Sequence, residues 1–311
     1  MEHPVTTLAN TFASPVDIER YGAYRISRAD GDTRPTYRFV NRVGATESAQ
    51  FPARPGVFHI YAGWFCPWAQ RTTITRELAG LQEVLSVSYV DGARDARGWA
   101  FRETYGPDPV NGFALLREAY EATEPGFDGH VSVPTLWSRT DNVVVSNNYR
   151  LIGLDLATKF SQFAATGALD TYPLALRAQI DELDSWLGPV VNWGVNTAAG
   201  SGPAAATARQ DLLGAFAELE TRLGSTRYLL GDTVTEADVR LWVTLARFDV
   251  QANAARAIVS GLDAYPNLWA YARDLYSQPA FQATTRFEAF TRPGAQRPDW
   301  DAPHHRDRIG A

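Results

Sequence analysis

VFHIYAGWFCPWAQR, residues 57–71, carries the chain's only cysteine at the point where one backbone pattern gives way to another. Val57 to Ala62 is an apolar run bounded by Pro55-Gly56 and Gly63, which reads as a buried strand. Trp68 to Ala79 then holds good helix formers and stops at Gly80, a residue suited to the turn that closes a helix. Cys66 therefore sits at a strand-to-helix junction, with Pro67 in the first helical turn, where a missing amide loses no hydrogen bond. Unpaired amides and partial positive charge at that position favour a thiolate over a thiol. Free cysteine has a pKa near ~8.5, and helix N-termini lower it by one to several units. The competing reading of an unpaired cysteine is an inert, buried place in the core.

Further out, Val84 to Val90 (VLSVSYV) is a β-branched second strand, and Val131 to Trp137 with Val143 to Val145 read as two more. The polar turn Ser138 to Asn142 separates the last two. Pro134 interrupts its run and cannot donate to a ladder, so it belongs at an edge, a bulge or a turn. A cis Val133-Pro134 bond would turn the Val133 backbone toward a ligand; a trans one would make this a plain edge-strand proline. Residues 1 to about 55, rich in Arg, Thr, Pro and Gly, read as an irregular leader wrapping the domain.

Beyond residue 165 the pattern changes. Leu176, Ile180, Leu183 and Leu187 form an amphipathic helical stripe, and Leu212, Phe216, Leu219 and Leu223 repeat it before Gly224. Between them Ala198 to Ala206 (AAGSGPAAA) reads as a flexible connection. Thr235-Glu236-Ala237-Asp238 offers a capping box for a further helix. Strands first and helices afterwards predict an α+β domain over 1–165 and an all-α domain over 166–311, the latter ending in a solvated tail from Arg292 to Arg308.

Composition narrows the chemistry. The 311 residues carry a net charge of −6 and no basic stripe, which argues against nucleic acid. No apolar run reaches the ~18–20 residues of a membrane span, and no signal peptide is evident, so a soluble cytoplasmic protein is expected. A single cysteine excludes an internal disulfide and a thiolate zinc cluster. Lys159 is the only lysine, so there is no phosphate-binding Gly-Lys-Ser/Thr loop. The histidines His3, His59, His130, His304 and His305 form no helical metal pair, and no metal site is expected. Thiol chemistry at Cys66 is what remains.

Strand, Cys-Pro helix, strand and Val-Pro before a hairpin together resemble the thioredoxin-like half of glutathione transferases. The match sharpens at Ala62 to Arg71 (AGWFCPWAQR), Gly98-Trp99, Val131 to Trp137 (VSVPTLW) and Ser146-Asn147. It continues at Gly231 to Trp242 (GDTVTEADVRLW), Arg247-Phe248-Asp249 and Tyr265 to Tyr276 (YPNLWAYARDLY). These blocks resemble the Xi-class glutathione transferases, or glutathionyl-hydroquinone reductases, in order and spacing from about residue 35 to 290. The resemblance implies a thioredoxin-like domain followed by a helical one, and a homodimer. It also implies that Cys66 takes a glutathionyl group from a quinone-like aromatic conjugate as a mixed disulfide, which a second thiol resolves. Trp99 would pack against the bound thiol, and the Val133 backbone beside Pro134 would pair with its cysteinyl part.

Departures from the family pattern accompany the match. Glu-Ser follows Ser-Asn in the family and holds the γ-glutamyl end of glutathione; here Asn148 and Tyr149 stand there. A charge-assisted contact worth ~1.5–3 kcal/mol is thereby lost. Tyrosines expected from the helical domain are replaced by Asn196 after Asn192-Trp193-Gly194-Val195, by Val250 to Ala254 (VQANA), and by Phe290 to Ala295 (FTRPGA). The cofactor is accordingly glutathione or another low-molecular-weight thiol such as mycothiol. Trp64, Phe65, Trp68 and Trp193 are candidates for an apolar electrophile pocket. The alternatives to a Cys66 transferase or reductase are a non-catalytic ligand-binding module of the same fold, and a Cys–His hydrolase using His59 or His130.

Overall fold

Strand β1, Phe58–Ala62, is buried along its whole length, as an unalternating FHIYA run requires when both faces of a sheet are covered. The computed structural model describes residues 11–26 and 33–301. In it β1 pairs parallel to β2 (Ser86–Tyr89) and antiparallel to β3 (Thr135–Ser138), which pairs antiparallel to β4 (Val143–Ser146). The order is β2-β1-β3-β4. Helix α2, Pro67–Leu78, makes the crossover between β1 and β2. Gly80 closes it at φ +63°, and the Leu81 N–H bonds the Arg76 carbonyl.

Two of the expected strands are shorter than their apolar runs. Val84 and Leu85 belong to a turn, their N–H groups bonding the Leu81 carbonyl and the Arg76 side chain bonding the Leu85 carbonyl. Val131 to Pro134 is loop, because side chains satisfy its backbone. Ser132 N–H donates to the Tyr120 hydroxyl at 3.2 Å, while the Ser132 carbonyl accepts from Tyr120 Oη and Thr135 Oγ1. The Val133-Pro134 peptide bond is cis. Helices α3 (Arg117–Thr123) and α4 (Tyr149–Lys159) complete this part of the chain.

The leader, in its described residues, is anchored at many points and mostly without regular structure. A short helix α1, Ile18–Tyr21, is capped by Asp17. Asn41 N–H bonds the Val145 carbonyl and Asn147 N–H bonds the Phe39 carbonyl, so residues 39–41 cover the open edge of β4. Arg42 then pairs at 2.8 Å with the buried carboxylate of Asp155 on α4.

The chain divides between Thr166 and Gly167, with Glu77–Ala79 grouped with the second unit. That unit is all-helical: α5 (Arg177–Leu187), α6 (Gly194–Ala198), α7 (Pro203–Leu223), α8 (Glu236–Phe248), α9 (Pro266–Tyr276) and α10 (Pro279–Ala283). Ile180, Leu183 and Leu187 are buried as the stripe requires, whereas Leu176 lies in a 3-10 turn ahead of α5. All four stripe residues of α7 are buried. The expected connection shrinks to a turn at 199–202, since Pro203 starts α7 after Gly202 at φ +85°. At the start of α8 the Asp238 carboxylate accepts from Thr235 N–H, Thr235 Oγ1, Leu229 N–H and Tyr271 Oη.

The expected solvated tail is exposed over most of its described residues and is corrected at Trp300. Arg292 N–H bonds the Val250 carbonyl, and Trp300 is only 3% exposed, its ring against Trp242, Trp269, Tyr276 and Phe287. An indole of that size buries enough apolar area to dock an irregular segment. Residues 302–308 of the expected tail lie outside the described residues. Among the described residues no helix is long and apolar enough to cross a membrane.

Candidate active site

The turn Gly63-Trp64-Phe65 delivers Cys66 to the start of α2. Cys66 N–H bonds the Gly63 carbonyl and its own carbonyl accepts from Gln70 N–H, both at 3.0 Å, which makes it the residue that opens the helix. The sulfur is largely covered, with Cys66 8% exposed, and its thiol reaches the Val133 carbonyl at 3.5 Å. Among the described residues the Val133 N–H has no acceptor. One residue beside the sulfur thus offers a carbonyl and an amide unused among the described residues, the pair that an added extended strand engages.

Phe65 forms the floor on one side. Its ring fills the space over Gly63, where an added Cβ would come within 2.6 Å of Phe65 Cε1, and it packs against Trp99 at 4.4 Å. Trp99 is 9% exposed and is presented by a tight turn that Gly98 closes at φ +90°. The buried Asp95 carboxylate fixes this turn by accepting from Arg97 Nε at 2.9 Å and from the Asp17 N–H at 3.1 Å. Those bonds, Arg97 foremost, hold Asp95 well below the usual carboxylate range.

The two positions expected to hold the far end of a thiol have duties within the protein. Asn148 caps α4, its side-chain oxygen accepting from Arg150 N–H at 3.1 Å. Tyr149 is 6% exposed and stacks on Trp68 with ring centroids 4.9 Å apart, Arg71 lying 4.6 Å over the Trp68 ring. Tyr37 from the leader meets Tyr149 edge-on at 5.9 Å. Burial first, then the neighbouring Tyr149 and Cys66 charges, push Tyr37 up to about 12. It therefore stays a protonated phenol at any physiological pH.

Of the other aromatic candidates, Trp64 stacks on Tyr89 at 3.9 Å, while Trp193 belongs to the second unit and is 45% exposed. Both candidate bases are engaged elsewhere. His59 has one ring nitrogen on Ser86 at 2.7 Å and the other on Ser88 at 2.8 Å, and burial holds it down to about 3. His130 Nδ1 bonds the Tyr24 hydroxyl at 2.9 Å. Neither arrangement supplies a base for a hydrolase.

Three residues the sequence did not single out join this neighbourhood: Tyr24, Tyr37 and Arg94. Arg94 stands 3.9 Å over the Tyr24 ring and 4.0 Å over the Trp99 ring. No periodicity marks them, because two come from the irregular leader and one from a loop. Only their nearness to Gly98-Trp99, in the case of Arg94, was visible beforehand.

Residues 202–274 match the family described as the glutathione S-transferase C-terminal domain. The chain is 36% identical to the glutathionyl-hydroquinone reductase YqjG of Escherichia coli (strain K12) over 251 residues, 79% of this chain and 76% of that relative. The solved Xi class transferase from Natrialba magadii superposes with a TM-score of 0.81 at 32% identity, covering 87% of this chain and 91% of that one. The glutathione-bound structure of E. coli YqjG gives 0.79 at 32% identity, with 87% and 96% covered.

Proposed function

Because the chain belongs to the Xi-class glutathione transferases, the glutathionyl-hydroquinone reductases, we propose that it removes a thiol from quinone-like aromatic conjugates through Cys66. The single observation that carries this reading is the Cys66 sulfur at a helix start, 3.5 Å from the carbonyl of Val133, whose N–H is unused among the described residues. The Cys66 thiolate attacks the conjugate's thioether sulfur. A sulfur–sulfur bond forms, the ring carbon–sulfur bond breaks, and the electron pair left on the ring carbon takes a proton to give the free hydroquinone. A second thiol then attacks the mixed disulfide, releasing a low-molecular-weight disulfide and the Cys66 thiolate. One thiol sulfur and the conjugate's own sulfur are oxidised to the disulfide, and the ring carbon is reduced.

Val133 pairs with the cysteinyl part of the thiol through N–H and C=O, and Trp99 with Phe65 packs against it. The thiol is glutathione, and the protein works as a cytoplasmic homodimer, which sedimentation and cell fractionation read directly.

Asn148 and Tyr149, committed to capping and stacking, favour a second reading in which the fold binds a ligand without turnover. One experiment separates the two. The purified protein is given a glutathionyl-hydroquinone and glutathione, and free hydroquinone and oxidised glutathione are measured with the adduct mass on Cys66. The enzyme reading expects stoichiometric release and its loss in Cys66→Ser. Turnover that survives Cys66→Ser refutes the mechanism, and binding without release or adduct establishes the ligand-binding module.

A further inference from the structure

The loop after β2 carries a cation with no counter-charge among the described residues. Arg94 is half-buried between two aromatic faces, Tyr24 at 3.9 Å and Trp99 at 4.0 Å. Among the described residues it makes no hydrogen bond and no ion pair, and its Nη1 is sealed from solvent without a partner. Nearby carboxylates on the same loop are taken: Asp91 pairs with Arg102 at 3.2 Å, and Asp95 with Arg97 at 2.8 Å. Stacking compensates part of the desolvation of a guanidinium, but a planar fork of donors is completed by a carboxylate.

The place of this guanidinium says which carboxylate. Tyr24, under Arg94, bonds His130, three residues ahead of the Val133 whose carbonyl touches the Cys66 sulfur. Trp99, on the other face of Arg94, packs on Phe65, the residue before Cys66. Charge on Cys66 acts on Arg94 directly, opposing the downward push of burial. The loop is also rigid before any ligand arrives, since Arg97 bonds Ser14 Oγ at 2.7 Å and the Pro15 carbonyl at 2.8 Å. A preorganised cation beside a thiol-binding edge recognises an anionic group on the thiol itself.

We propose that Arg94, stacked between Tyr24 and Trp99, anchors a carboxylate of the thiol substrate and so selects a carboxylated peptide thiol, such as glutathione, over a neutral sugar thiol, such as mycothiol. The assignment rests on the reading of Cys66 as the site that receives the thiol. It moves charge recognition from position 148, where a neutral amide caps a helix, to the 94–99 loop.

The test measures binding rather than turnover, in the full-length Cys66→Ser protein, by calorimetry with glutathione and with glutathione diethyl ester, whose carboxylates are blocked. Glutathione should bind at least tenfold tighter than the diester. Arg94→Gln should weaken glutathione at least tenfold and leave the diester within twofold. Arg94→Lys, which keeps the charge and loses the fork, should recover part of the loss. Equal weakening of both thiols by Arg94→Gln overturns the proposal in favour of a packing role, as does no weakening of either. A KM effect confined to carboxylated aromatic conjugates, with glutathione affinity intact, assigns the carboxylate to the conjugate and overturns the thiol assignment. Should the wild type bind glutathione with this discrimination yet turn nothing over, the reaction fails and the anchor stands.

Discussion

Acid should destabilise the first unit in part through one histidine, and the size of that part follows from its surroundings. His59 lies on β1 with both ring nitrogens engaged by the hydroxyls of Ser86 and Ser88. Burial, then the positive charges of Arg139 and Arg76, hold its pKa down from 6.5 to about 3. A depressed histidine means that between those values the unfolded chain binds a proton that the native chain refuses. Stability from this group is therefore complete above pH 6.5 and is lost as the pH falls toward 3. The loss is about 1.4 kcal/mol at pH 5.5 and about 2.7 kcal/mol at pH 4.5. Both figures hold for any native value below about 4. Other groups titrate over the same range, so the quantity to measure is a difference between two proteins. Urea unfolding at pH 7.5, 5.5 and 4.5 is followed for the wild type and His59→Asn, and only the pH dependence is compared. The wild type should lose about 2.7 kcal/mol more than the variant between the extremes. Parallel profiles would refute the reasoning, and would reopen the possibility that this ring is charged and available to chemistry.

Gly63→Ala should disturb the site without touching Cys66. Its Cβ would fall 2.6 Å from Phe65 Cε1, so the ring must leave its place on Trp99. Overpacking of this kind costs about 1–3 kcal/mol, and thiol KM should rise severalfold while Cys66 still reacts with small alkylating reagents; an unchanged KM would show that Phe65 does not shape the thiol site. Trp300→Ala should destabilise the helical unit by about 3–5 kcal/mol, read as a fall in its melting temperature. A change below about 1 kcal/mol would show that Trp300 does not anchor its segment.

What the sequence made legible was local. The β1 run, the Cys-Pro helix start, the Gly80 stop and the α7 stripe are each decided by residues adjacent in the chain, and each stands where the pattern put it. Errors came where a distant side chain replaced a backbone partner. Val131 to Trp137 has strand composition, but the Tyr120 hydroxyl takes the bonds of Ser132 that a ladder would have used. Trp300 sits in a run of Pro, Asp and Arg that reads as solvated, and a cluster of aromatic rings contributed by α8 and α9 captures it. Arg94 and Tyr37 were invisible for the same reason. The Asp17–Asp95 and Arg97–Ser14 bonds place the loop of Arg94, and the Phe39–Asn147 bonds place the segment of Tyr37; they join segments about 80 to 110 residues apart and leave no periodic trace.

The roles of Asn148 and Tyr149 bear on the proposed role of Arg94. An asparagine at a helix N-cap is worth about 1 kcal/mol over a residue that cannot cap, and glutamate is not among the preferred caps. Tyr149 adds an aromatic pair with Trp68, worth about 0.5–1.5 kcal/mol beyond its buried area. Both residues therefore stabilise α4 and its packing where a Glu-Ser pair would instead have held a ligand's ammonium. Neither position offers a carboxylate to a ligand's ammonium. Under the proposal, the stacked Arg94 guanidinium, with no carboxylate partner among the described residues, supplies selectivity from the other end of the thiol, because a carboxylate that satisfies it relieves a desolvated charge the fold already carries.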